Sequence, residues 1–191
     1  MEFVFASFNP GKIKEIQDIF PQEYKIKGLK DVGITEDIVE SGMTFEENAY
    51  IKAHFVYTKT NKNTFADDSG LLVKSLNNEP GIYSARYAGV SKNDKQNIEL
   101  LLNKMKNITD RTAKFTCIIC AIINGQKYFF EGELKGSIAL QAKGTNGFGY
   151  DSVFIPDGYN ITLAEMSADE KNKISHRRRA IQKMLNFLSL K

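Results

Sequence analysis

The chain has 191 residues, of which 42% are hydrophobic and 26% charged, with a formal net charge of +3. That composition suits one domain over residues 1–191, or two tightly joined lobes without a separate linker, around a sizeable core. The small net charge argues against non-specific nucleic-acid binding but leaves room for a local basic site facing an anionic small molecule. The opening MEFVFASFNPGK has an acid at position 2 and too short an apolar run for a signal peptide, and no apolar run reaches membrane-helix length. The expectation is a cytoplasmic protein with no membrane and no nucleic-acid partner.

In chain order, EFVFAS reads as a short buried strand, and PGKIKEIQDIF as a helix with Ile13, Ile16, Ile19 and Phe20 at helical spacing. YKIKGL is a candidate strand. Residues 30–43 are polar and loop-like, although DIVE could add a short strand. Thr44 to Glu47 has the capping-box pattern, starting a helix to about Lys59 that buries Phe45, Ala49, Ala53 and Val56. TFADDSGLLV, residues 64–73, reads as a buried strand interrupted by two acids. NNEPGIYSARYAG is rich in turn residues, and KNDKQNIELLLNKMK is an amphipathic helix. TAKFTCIICAIING and QKYFFEGELKGSI predict two long strands, with NG as a hairpin turn. A glycine-rich loop, GTNGFGYD, and a short strand, SVFIP, follow. One last helix covers about Ser175 to Leu190, with Ile181, Met184, Leu185 and Leu188 on one face. This is a mixed α/β pattern, not a regular alternation. Cys117 and Cys120, three apart in a strand, point to opposite faces and read as buried structural thiols in a reducing compartment.

Four segments could carry chemistry. SFNPGK, residues 7–12, joins the first strand to the first helix. A helix N-terminus offers unpaired N–H groups and partial positive charge, Gly11 permits close approach, and Lys12 adds a cation. It lacks the glycine and Ser/Thr of a Walker A loop, and an ordinary turn capped by Ser7 or Asn9 is the plainer reading. Asp67 and Asp68 face opposite ways in a regular strand. If the strand ends there, one acid could hold a hard cation such as Mg2+, which takes one or two carboxylates plus substrate phosphates. The plainer reading is an acid bonding the N–H groups of a turn. Glu40, in VESG, is a possible second ligand. Phe148, held among the glycines of residues 144–151, could stack on a nucleobase or fill the core. In ISHRRRA, three arginines open a helix against its macrodipole, so either they spread into solvent or an anion sits among them. His176 and Arg177 are placed to face such an anion, with Arg178 and Arg179 at the surface and His54, mid-helix, at the surface or in packing.

Taken together and in order, SFNPGKIKE, GMTFEENAYIKA, ADDSGLLV, PGIYSARYAG, GFGYD and EKNKISHR resemble the motifs of the inosine triphosphate pyrophosphatase family, over nearly the whole chain. The resemblance implies an elongated, two-lobed α/β fold around a central mixed sheet with flanking helices, with the active site in the cleft between the lobes. It also implies a homodimer. The implied reaction is Mg2+-dependent hydrolysis of ITP, dITP and XTP between the α and β phosphorus, giving a nucleoside monophosphate and pyrophosphate. By the same resemblance Asp68 is the catalytic acid and, with Glu40, a metal ligand. Ser7, Phe8, Asn9, Pro10, Gly11 and Lys12 hold the triphosphate, with Lys52 facing the phosphates and Ser69 touching substrate. Phe148, Gly149, Tyr150 and Asp151 form the base loop, and Lys171, His176 and Arg177 recognise the base. Two rival readings are a phosphohydrolase for modified pyrimidine nucleotides and an RNA-binding module built on HRRR. Rates on dITP and XTP against dUTP separate the first, and salt-dependent RNA binding tests the second.

Overall fold

The protein is described by a computed structural model, which covers residues 1–190. It is a mixed α/β fold on one sheet of six strands in the order β2-β1-β3-β4-β5-β6. The strands are β1 (Glu2–Phe5), β2 (Lys25–Lys27), β3 (Thr64–Val73), β4 (Thr112–Ile123), β5 (Gln126–Ile138) and β6 (Phe154–Pro156). The helices are α1 (Pro10–Ile19), α2 (Phe45–Thr60), α3 (Asp94–Lys104), α4 (Ala168–Ile174) and α5 (His176–Leu188). β1 runs parallel to both β2 and β3, with Val4 opposite Lys27 and Thr64, whereas β5 and β6 are antiparallel. Asn124 and Gly125 both have positive φ, 49° and 81°. Such a pair makes the two-residue turn whose twist matches an antiparallel hairpin, here β4–β5.

The chain divides into two compact units. The first comprises Met1–Asp68, Cys117–Gly132 and Arg177–Lys191, and the second Ser69–Thr116 and Glu133–His176. In the first unit, strand alternation sorts the core into two layers. Phe3, Phe5, Phe65, Cys117, Ile119, Ala121 and Ile123 pack with Ile16 and Ile19 of α1 and with Ala180, Ile181, Met184 and Leu188 of α5. Val4, Ala66, Ile118, Cys120 and Ile122 pack instead with Ala49, Ala53 and Val56 of α2. This is the period of two expected when both faces of a sheet are covered. It also separates the cysteines as the sequence predicts: both are free and buried, one in each layer. The second unit gathers Leu71, Val73, Leu101, Phe115, Leu134, Tyr150, Phe154 and Leu163 into one core.

Five sequence expectations need correction. β3 does not stop at the acidic pair; it continues to Val73, because Leu71 and Val73 are themselves buried and extend the apolar pattern. The passage from one unit to the other, not a strand end, falls between Asp68 and Ser69. Residues 37–40 form no strand; the regular piece of that region is a single 3-10 turn, Lys30–Val32. The last helix is two helices, because Ser175 is extended (φ −60°, ψ 148°) and ends α4 before α5 begins. Ser167 and Glu170 supply α4 with a full capping box, a signal present in SADE but overlooked. Finally, the box on α2 is only half made. Thr44 Oγ1 accepts from Glu47 N at 3.1 Å, but the Glu47 carboxylate accepts from Met43 N, one residue before the cap. Phe45 at its start is only half-buried, against the second core layer.

Candidate active site

The β1–α1 connection folds as a capped helix start. Asn9 is the N-cap, its side chain accepting from Lys12 N at 3.1 Å, and Pro10 occupies the first helical turn, where a missing N–H costs nothing. Ser7 Oγ accepts from Asn9 N at 3.2 Å. Phe8 turns inward onto the layer beneath α2, so its side chain serves packing. The helix start directs Lys12 sideways, to 2.9 Å from Asp67 Oδ2.

Asp67 is one corner of a buried charge cluster. Its Oδ2 also lies 3.2 Å from both Nε and Nη2 of Arg177. Arg177 Nη1 in turn holds the Glu15 carboxylate on α1. Arg177 is 1% exposed and Asp67 1%, a depth at which charges persist only when paired. Burial by itself would raise the Asp67 carboxyl, but Lys12, Arg177 and Lys52 outweigh it and hold the group well below the usual carboxylate range. Burial likewise opposes the Arg177 cation, and Glu15 and Asp67 more than compensate, so it stays charged. The Cys117 thiol lies 3.9 Å from Asp67 Oδ2 as a weak donor.

Asp68, the next residue, has another set of partners. Lys52 Nζ, from α2, lies 3.2 Å from Asp68 Oδ1 and also donates to Glu40 Oε1. Asp68 Oδ2 is buried and has no hydrogen-bond partner. Burial pushes the Asp68 carboxyl up; Lys52 and Lys12 pull it back only in part, while Glu40 and Asp67 add to the rise. The adjacent acids therefore separate electrostatically: Asp67 is fixed as a carboxylate and Asp68 is made more basic. Divergent environments for two neighbouring titratable groups are a recognised way to assign an acid–base role.

A hard divalent cation fits this donor set. Asp68 Oδ2 is a buried oxygen without a hydrogen-bond partner, and Glu40 brings a second carboxylate to the ammonium that Asp68 Oδ1 meets. Among the described residues no group of three or more His, Cys, Asp or Glu side chains is gathered to hold a metal. Protein alone would thus supply only part of the shell, as is usual for Mg2+ shared with substrate phosphates.

The remaining expected residues belong to the second unit, Ser69 as its half-buried first residue. The loop before β6 is built around Asp151, whose Oδ2 accepts from Phe148 N at 2.9 Å and lies 2.6 Å from Lys171 Nζ. Gly147 adopts φ +78°, and a Cβ there would collide with that same Oδ2, so the carboxylate can reach the loop only across a glycine. Lys171 Nζ stands 4.6 Å from the Phe148 ring centroid, a cation–π contact that orients the aromatic. Gly149 N donates to Asp94 Oδ2 at 2.7 Å. Tyr150 is a core residue whose hydroxyl donates to Ser84 O at 2.8 Å. His176 is buried and stacks on Phe115, centroids 4.8 Å apart. The structure thus joins Phe148, Asp151 and Lys171 directly. It places Arg177 instead with Glu15 and Asp67. Glu15, Asp94 and Ser84 were not picked out from the sequence. Only Glu15 left a trace there, an acid beside Ile16 and four before Ile19 on the apolar face of α1.

A family model described as the Ham1 family matches residues 3–187. This chain belongs to the Ham1 family. A Christiangramia forsetii protein named dITP/XTP pyrophosphatase is 46% identical over 189 residues, covering 99% of this chain and all of its relative. A Bacillus subtilis protein of the same name is 47% identical, covering 98% of this chain and 96% of that one. Among solved structures, the Ham1 protein of Staphylococcus aureus superposes with a TM-score of 0.89 at 46% identity, covering 99% of this chain and 98% of its own. A HAM1 protein from Coxiella burnetii gives 0.91 at 36% identity over the whole of both chains.

Proposed function

We propose that this Ham1-family chain hydrolyses 6-oxo purine nucleoside triphosphates (dITP, XTP and ITP) to the monophosphate and pyrophosphate, with Mg2+ as cofactor. The observation that carries the reading is the split between adjacent acids: Asp67 locked as a carboxylate by Lys12 and Arg177, and Asp68 set against Lys52 and made more basic. The names of its relatives support the choice of substrate.

Asp68 is the group to take the proton from the attacking water, since its raised pKa brings its basicity nearer neutrality. Glu40 and Asp68 would hold Mg2+, which when bound supplies charge neutralisation at the phosphates and acidifies water. Lys12 and the N–H groups opening α1 would take the triphosphate, whose negative charge they complement. Phe148, oriented by Lys171, offers a face for the purine. A site that presents donors to the base oxygen would leave buried groups unpaired with the 6-amino group of ATP, and discrimination of that kind can reach about 10⁴–10⁵.

The test is a substrate panel with product identification. Expected are the monophosphate and pyrophosphate from dITP, XTP and ITP, at rates at least about 100-fold above ATP and dUTP. Equal rates across the panel would refute the 6-oxo reading. Asp68→Asn should lower kcat by at least about 10³ with unchanged circular dichroism; near-normal turnover would mean that the base lies elsewhere.

A further inference from the structure

We infer that Lys52 is the resident counter-cation of the metal site: in the nucleotide-free protein its ammonium neutralises Glu40 and Asp68 and keeps Mg2+ from binding alone. This rests on the reading of Glu40 and Asp68 as metal ligands. Three observations carry it. Lys52 Nζ contacts both carboxylates, 3.2 Å from Asp68 Oδ1 and in a close ion pair with Glu40 Oε1. Lys52 is 7% exposed and Asp68 7%, so water cannot fully substitute for the partner. Oδ2 of Asp68 is buried without a hydrogen-bond partner, so the ammonium meets only one oxygen of that carboxylate.

A divalent ion seated on the same two carboxylates would lie within a few ångströms of the ammonium, and like charges at that distance repel strongly in a buried setting. Metal entry therefore requires Lys52 to leave at least one carboxylate. Its flexible four-carbon stem allows a shift, but a buried ammonium needs another anion to meet. In the free protein there is no gain in that exchange. A nucleoside triphosphate changes the balance, because its phosphate oxygens offer Lys52 a new partner and the metal its remaining ligands. Mg2+ and nucleotide should then bind as a pair, with Lys52 linking the two events through a reciprocal coupling.

The test uses Mg2+ alone, without nucleotide, and reads thermal stability and calorimetric binding. Wild type should show a Tm that scarcely responds to MgCl2. Lys52→Met keeps the stem and removes the charge. It should have a lower Tm in EDTA, a Tm that rises with MgCl2, and Mg2+ binding at least about tenfold tighter than wild type. Adding Glu40→Gln to Lys52→Met should abolish the gain, and Lys52→Arg should keep wild-type indifference. If Lys52→Met does not fold in EDTA, Lys52→Gln is titrated in its place, with the same tenfold criterion. Wild-type binding of Mg2+ as tight as that of the neutral variants would overturn the inference, as would a gain that survives Glu40→Gln. Because no readout needs turnover, a chain that cleaves no 6-oxo purine triphosphate yet shows these shifts would refute the proposed substrate and leave the role of Lys52 standing.

Discussion

Arg177→Met is the sharpest probe of the buried charge cluster. The substitution keeps a long apolar stem and deletes the guanidinium that joins Glu15 to Asp67. Asp67 retains Lys12 at 2.9 Å, and Glu15, itself 6% exposed, loses its guanidinium. Removing one partner of a buried ion pair costs about 3–5 kcal/mol. For a chain of this size that corresponds to a fall in Tm of about 6–20 °C. The measurement is urea and thermal unfolding of the metal-free, nucleotide-free protein at pH 7, followed by circular dichroism. Adding Glu15→Gln removes the buried charge that Arg177 faced, so the double variant should recover about 1–3 kcal/mol relative to the sum of the single losses. The sequence pattern alone offers Arg177 as a base-recognition residue, and a side chain with only that role would leave the stability of the free protein untouched. An Arg177→Met protein within about 0.5 kcal/mol of wild type, the usual range for a surface change, would refute the structural role, as would strict additivity with Glu15→Gln.

Asp67→Asn addresses the other corner of the cluster through pH. The folded carboxyl lies below its unfolded value, because Lys12 and Arg177 outweigh burial. A depressed carboxylate contributes stability that is fully present above the unfolded pKa of about 3.9 and is lost as pH falls through the folded value. The stability gap between wild type and Asp67→Asn should therefore be constant from pH 7 to 5 and narrow only below about pH 4; a gap that closes between pH 7 and 5 contradicts the assignment. Phe148→Ala should raise KM for dITP by about 5–150-fold, the range set by about 1–3 kcal/mol of base stacking, with kcat changed only a few-fold. An unchanged KM would remove Phe148 from the base site.

Much of the fold could be read from local patterns. The β4–β5 hairpin followed from Asn124-Gly125 between apolar runs, and α1 and α3 from helical spacing. The failures occurred where tertiary context decides. β3 passes through Asp67 and Asp68 because their charges are neutralised by Lys12, Arg177 and Lys52, which lie 15 or more positions away in sequence and leave no local mark. The break at Ser175 is a single extended residue between two runs that each look helical. At the site, family motifs located the residues but not their partners. Lys12, Lys52 and Arg177 are cations that sequence reasoning aims at a polyanion, and in the free protein each is engaged by a carboxylate. Glu15 was hidden because an acid on an apolar helix face looks like a solvated exception until its arginine is known.

The two cysteines, divided between the layers on either side of β4, have a practical consequence. Both are buried in the first unit, and burial pushes the Cys120 thiol up to about 12 and Cys117 higher still. Thiolate, the reactive form, is then negligible in the native state. Since the chain contains only these two thiols, the rate at which a thiol reagent labels them measures how often the first unit opens. The protein thus carries an internal clock for its own unfolding, with one hand on each face of the sheet.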